Sequence, residues 1–129
     1  MTKTNTTTMH ATTNGTQAEV SYPETGIKLT FQTRASAPER LACEAELVFG
    51  PGPLEGMKLV GFSIWRSPEG EHYLTFPSRA FGAGSDRRFF DYFRTADGGL
   101  GVAKRVKRWM LDAFEAARKE GFLGNSEAA

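Results

Sequence analysis

Residues 27–34 alternate strictly between apolar and polar. Ile27, Leu29, Phe31 and Thr33 share one side, and Lys28, Thr30, Gln32 and Arg34 share the other. A period of two marks a half-buried strand with one wet face. Residues 40–49 repeat the pattern, with Leu41, Cys43, Ala45, Leu47 and Phe49 opposed by Arg40, Glu44 and Glu46. The link between these strands carries Pro38 and suits a short hairpin connection. Residues 50–56, GPGPLEG, read as a loop. A third strand is predicted over 57–66, with Val60, Phe62 and Ile64 on one side and Leu59, Gly61, Ser63 and Trp65 on the other. Ser67-Pro68-Glu69-Gly70 has the composition of a type I turn with a left-handed glycine. The returning strand, 71–76, stops at Pro77. Residues 87–94, RRFFDYFR, suit a fifth strand with Arg88, Phe90, Tyr92 and Arg94 on one side and Phe89, Asp91 and Phe93 on the other; a short helix is the alternative.

The period then changes. Val102, Val106, Trp109, Met110, Ala113, Phe114 and Ala117 fall on one arc of a 3.6-residue wheel, which predicts a long terminal helix. Gly121 suits the residue just past its end, and Arg118 and Lys119 suit its negative end. Thr95 or Asp97 could cap its start, although Gly98, Gly99 and Gly101 blur the boundary. The predicted fold is α+β: a single antiparallel sheet of about five strands with one long C-terminal helix packed on one face.

Composition adds limits. The chain has 129 residues, one domain's worth, with 40% hydrophobic and 24% charged residues. This excludes a wholly disordered chain, a collagen-like fibre and a long coiled coil. No apolar run reaches the ~18–20 residues of a membrane-spanning helix, and no secretory-signal layout opens the sequence. Cys43 is the single cysteine, so an internal disulfide is excluded; on the apolar side of its strand it reads as an inert small hydrophobe. A cytoplasmic protein is expected. Residues 1–17 hold eight threonines and few apolar side chains, which predicts a flexible tail, with a short β segment as the competing reading. The expected organisation is this tail, one domain over 18–123, and a frayed end over 124–129.

Charge is segregated. Residues 79–108 carry eight bases against three acids, a net +5, and the remainder carries eight bases against twelve acids, −4. A near-neutral chain with one basic third has the footprint of a polyanion binder; the alternative is a solvated, internally paired surface. Lys104, Arg105, Lys107 and Arg108 crowd the first turns of the predicted helix, where positive charge opposes the macrodipole by ~0.3–1 kcal/mol at exposed sites. The same placement favours an approaching phosphate. Alternatively, these bases reach Asp91 or Asp97. Arg87 and Arg88 sit beside Phe90 and Tyr92, and aromatic faces stack single-stranded bases while arginines hold the backbone. The alternative places Phe89 and Phe93 in the core and Phe90 and Tyr92 at a dimer interface. Arg79 follows Pro77-Ser78 beside Gly82-Ala83-Gly84, a loop that either cradles a phosphate or simply turns. Trp65 is read as a stacking platform, an interface anchor or a cap on the core edge.

Enzyme chemistry finds no support. His10 lies in the threonine-rich segment, and His72, beside a turn, is expected to be exposed. No triad, paired carboxylates or phosphate-binding glycine motif is suggested, and no cofactor, metal or small-molecule substrate is expected. An open sheet edge predicts a homodimer. The competing function is a non-enzymatic adaptor that docks a protein on a sheet edge.

The segment Leu59-Val60-Gly61-Phe62-Ser63-Ile64-Trp65-Arg66, a turn, and then Tyr73-Leu74-Thr75-Phe76-Pro77-Ser78-Arg79 resembles the sporulation stage V protein G, or septation-regulator, family. The resemblance spans roughly 26–121, and its sharpest motif is Phe76-Pro77-Ser78-Arg79. It implies a small dimeric nucleic-acid-binding regulator of the bacterial cytoplasm. The chain departs from the family in its threonine-rich start, its 50–56 loop, and Arg94-Thr95 where the family has His-Pro.

Overall fold

Strands joined by short turns pair with their sequence neighbours. In the computed structural model, which describes residues 6–12 and 15–124, six of them form one antiparallel meander. These are β1 (Thr6–Thr12), β2 (Gly15–Tyr22), β3 (Ile27–Gln32), β4 (Leu41–Phe49), β5 (Lys58–Arg66) and β6 (His72–Thr75). A separate hairpin follows, β7 (Ser78–Phe81) with β8 (Arg88–Asp91), and then α1 (Leu100–Lys119). The fold is α+β. Alternating residues of β2 to β6, among them Val20, Phe31, Ala45, Phe62, Ile64 and Leu74, are buried with Met110, Ala113, Phe114 and Ala117 of α1. The opposite side of the sheet is polar, with ion pairs Lys28–Glu19 (3.5 Å), Arg34–Glu44 (3.4 Å) and Lys58–Glu46 (3.2 Å).

Gly121 ends the helix as its sequence predicts. Its φ is +111°, its N–H donates to the Arg118 carbonyl at 2.9 Å, and the Phe122 N–H donates to the Ala117 carbonyl at 3.0 Å. This Schellman arrangement turns Phe122 back into the core, against Phe31 and Phe114.

Four expectations change. The threonine-rich segment is not a tail over its described part, because 6–12 and 15–17 lie in β1 and β2. Threonine's branched Cβ suits a pleated strand, and Ala18, Val20 and Tyr22 give the hairpin a buried side to anchor it. Residues 1–5, 13–14 and 125–129 lie outside the described residues. Second, the 87–94 strand is shorter and pairs with β7, not with the main sheet. Third, β5 does not alternate evenly. Ala45 opposes Phe62 but Leu47 opposes Leu59, so Val60 and Gly61 together face Glu46 in a bulge. Leu59 joins the core side and Val60 is left exposed. Gly61 has φ +105°, and a Cβ there would meet Pro77 Cβ at 2.9 Å, so only glycine lets this corner close. Fourth, His72 is not exposed. Its side chain keeps 9% of its accessible surface, its ring meets Phe114 edge-on at 5.0 Å, and Nδ1 lies 3.8 Å from Glu115.

Tyr22 packs on Trp109, ring centroids 5.3 Å apart. Burial, assisted by the negative charge of Asp112, raises its phenol pKa above the ordinary 10.0. A raised folded-state pKa leaves stability intact below the unfolded value and removes it as pH climbs through the folded one. Relative to Tyr22→Phe, the parent should therefore show a constant stability difference below about pH 10 and lose ground above it. Urea midpoints across pH 8–11 measure this, and parallel curves throughout would refute it.

Candidate functional site

The basic segment 79–108 spans the hairpin, the loop after it and the first half of α1. Helix α1 starts at Leu100, two residues before the arc predicted from Val102, with Gly99 as its N-terminal cap residue. Asp97 Oδ1 accepts the Gly99 N–H at 3.0 Å, which fixes the approach to the helix, but no acidic side chain stands in the first turn. Lys104, Arg105 and Arg108 are exposed on the helix, while the Lys107 ammonium lies 5.0 Å from the centre of the Phe76 ring. Among the described residues, none of Arg79, Arg87, Arg88, Arg94, Lys104, Arg105, Lys107 and Arg108 pairs with a carboxylate. The ion pairs described above use other bases.

Phe76 is the hinge of the arrangement. It packs edge-on to Phe62 at 5.8 Å and to Phe93 at 5.1 Å, and it walls two hollows. The first, about 670 Å³, lies between the loop after β8 and the start of α1, and is lined by Tyr92, Arg94, Thr95, Gly98 and Gly99 among others. The second, about 490 Å³, opens between the strand ends of β5 and β6 and the hairpin, and is lined by Trp65, Tyr73, Thr75, Ser78 and Phe89. Asp91 borders both.

Pairing in the hairpin sorts the predicted side chains. Arg79 opposes Phe90, and Phe81 opposes Arg88, so these four share one side. Arg79 lies over the Phe81 ring at 4.7 Å, and Phe81 meets Phe90 edge-on at 5.1 Å. Arg88 and Phe90 thus share a side as expected. Tyr92, however, falls past the end of β8 and lines the first hollow, its N–H donating to the Pro77 carbonyl at 2.7 Å. The two residues expected to stack bases are therefore apart. Phe93 packs on the core, as the alternative predicts, but Phe89 does not. It is 66% exposed on the other side of the hairpin, with the Arg87 guanidinium 5.4 Å from its ring centre. The Gly82-Ala83-Gly84 loop serves its own tight turn, since a Cβ on Gly82 would lie 2.6 Å from the Asp86 carbonyl oxygen.

Sequence reasoning passes over Tyr73 as a site residue. Its parity with Trp65 and Thr75 across the β5–β6 register is the available signal, and Trp65 Nε1–H donates to the Thr75 hydroxyl at 3.1 Å. Among the described residues, no group of three or more His, Cys, Asp or Glu side chains could hold a metal, and no helix is long and apolar enough to cross a membrane. The chain matches no protein-family model, no curated protein and no solved structure.

Proposed function

We propose that this chain binds nucleic acid, DNA or RNA, through the basic face formed by the front of α1 and the adjoining loop and hairpin, and acts as a non-enzymatic regulator. The observation that carries the reading is that the eight bases of the 79–108 segment have no carboxylate partners among the described residues, while Arg94 lines the first hollow, Lys107 lies over the Phe76 ring that walls both, and Arg87 lies by Phe89 of the second. Because α1 starts at Leu100, Lys104, Arg105, Lys107 and Arg108 fall in its second and third turns, past the reach of the N-terminal dipole expected from the sequence, and they count as unpaired surface charge available to a polyanion. The resemblance at Phe76-Pro77-Ser78-Arg79 points the same way. The outer edges of β1 and β6 take no further strand among the described residues, which supports a two-fold pairing of copies and two such faces per assembly.

Fluorescence polarisation against labelled oligonucleotides at a series of salt concentrations tests the proposal. Affinity should fall with salt, with a log–log slope of about −0.9 per phosphate contact on duplex and about −0.7 on single strands. Binding that is unchanged between about 50 and 200 mM salt would rule out the basic face as the contact surface.

A further inference from the structure

The hollow between β5, β6 and the hairpin has a different chemistry from the basic helix. Trp65 and Tyr73 are direct cross-strand partners and project from the polar side of the sheet, away from α1. Phe89 projects from the hairpin into the same space. Tyr73 remains 49% and Phe89 66% exposed, so two large rings stand in water on facing elements. The indole is held by its bond to Thr75 before any ligand arrives, which limits the rotamer freedom that binding must remove. At about 490 Å³, the space is within the ~300–1,000 Å³ typical of small-molecule sites.

Its polar groups narrow the occupant. Asp91 and Ser78 oppose each other in the hairpin register and both border the space. The Asp91 carboxylate has no hydrogen-bond or ion-pair partner among the described residues. An ionised carboxylate repels phosphate and accepts N–H donors. A neutral, flat group bearing amino or imino N–H fits this set: ring faces against the aromatics and a donor edge toward Asp91. A phosphate next to that group would meet Arg87, whose guanidinium already lies by the Phe89 ring.

We infer that this aromatic hollow takes an unpaired nucleobase, making single-stranded nucleic acid the preferred ligand of the basic face. In a duplex, the donor edge is engaged by the opposite base and both ring faces are covered by neighbours; a single strand presents both. The inference rests on the nucleic-acid reading above and adds the strandedness of the ligand.

The test uses the full chain and a labelled d(CA)6 oligonucleotide, alone and annealed to d(TG)6. Phe89→Ala and Tyr73→Ala alter exposed side chains. Each should weaken binding to the single strand by about 5- to 100-fold while leaving duplex affinity and the salt slope unchanged. In a Trp109→Phe background Trp65 is the only tryptophan, and its emission should be quenched by the single strand and not by the duplex. Salt-dependent binding of both forms, insensitive to the two variants and with Trp65 unquenched, would overturn this inference and leave the basic face standing. No binding of either form at about 50 mM salt would overturn the nucleic-acid reading as well.

Discussion

Replacing Lys104, Arg105, Lys107 and Arg108 together by alanine is expected to lower oligonucleotide affinity by about 10²- to 10³-fold near 0.15 M salt and to reduce the salt slope by about three to four. The size follows from counterion release: every phosphate that the protein no longer neutralises takes its own share of the slope with it, whatever the base sequence. None of the four bases holds a carboxylate among the described residues, so no internal ion pair is broken. Folding should suffer little. Alanine is the strongest helix former, and all four positions lie inside α1, past its first turn. One effect runs the other way, the removal of the Lys107 ammonium from over the Phe76 ring, worth about 0.5–1 kcal/mol at an exposed site. The variant should therefore unfold at nearly the parent's urea concentration while binding far more weakly. If it bound as well as the parent with the same slope, the helix would be excluded as the binding surface and the hairpin arginines would have to supply it all.

The parts of this fold legible from the sequence are those where burial and periodicity agree. Leu29 and Phe31 of β3 and Cys43, Ala45 and Leu47 of β4 are buried as their spacing predicts, and α1 carries its apolar arc into the core. Thr30 is buried too, however, and a register shift at the start of β4 puts Leu41 opposite Trp65, off the side it is predicted to share with Cys43. The bulge at Val60-Gly61 breaks that agreement, because one extra residue reverses the parity on either side of it. The glycine that permits it gives no sign of the Pro77 ring it must pass. β1 is hidden for a different reason. Threonine is neither clearly apolar nor clearly polar, so a run of it yields no period, and the strand is held by its partner β2. The candidate site is legible in its charge and not in its aromatics. Basic residues on exposed helix turns can be counted from the chain, but Phe89, Phe90 and Tyr92 diverge according to where β8 ends and which strand it pairs with. His72 shows the same limit. Its neighbours in sequence are turn residues, and its burial is set by Phe114, forty-two positions away.

Phe114→Ala should be among the most damaging single substitutions in the helix, destabilising the fold by about 3–5 kcal/mol. The side chain is fully buried and joins three elements: Phe31 of β3 at 5.8 Å, His72 of β6 at 5.0 Å, and Phe122 beyond the helix end at 6.3 Å. Truncation removes the transfer free energy of a phenyl ring and leaves a void that these neighbours cannot all close, since two belong to a hydrogen-bonded sheet. It also strips the apolar cover from His72 and from Arg118, whose guanidinium lies 5.9 Å from the same ring. Against the ~5–15 kcal/mol of a typical domain, a change of this size should move the urea midpoint sharply with little change in slope. Phe90→Ala is the matched comparison. That ring is 50% exposed and touches Phe81 on the outer side of the hairpin, so the same change of residue should cost about 1 kcal/mol or less. Equal midpoints for the two variants would mean that α1 is not seated on the sheet through Phe114. The basic stripe of α1 would then have no fixed position relative to the hairpin, and a joint surface built from both could not form.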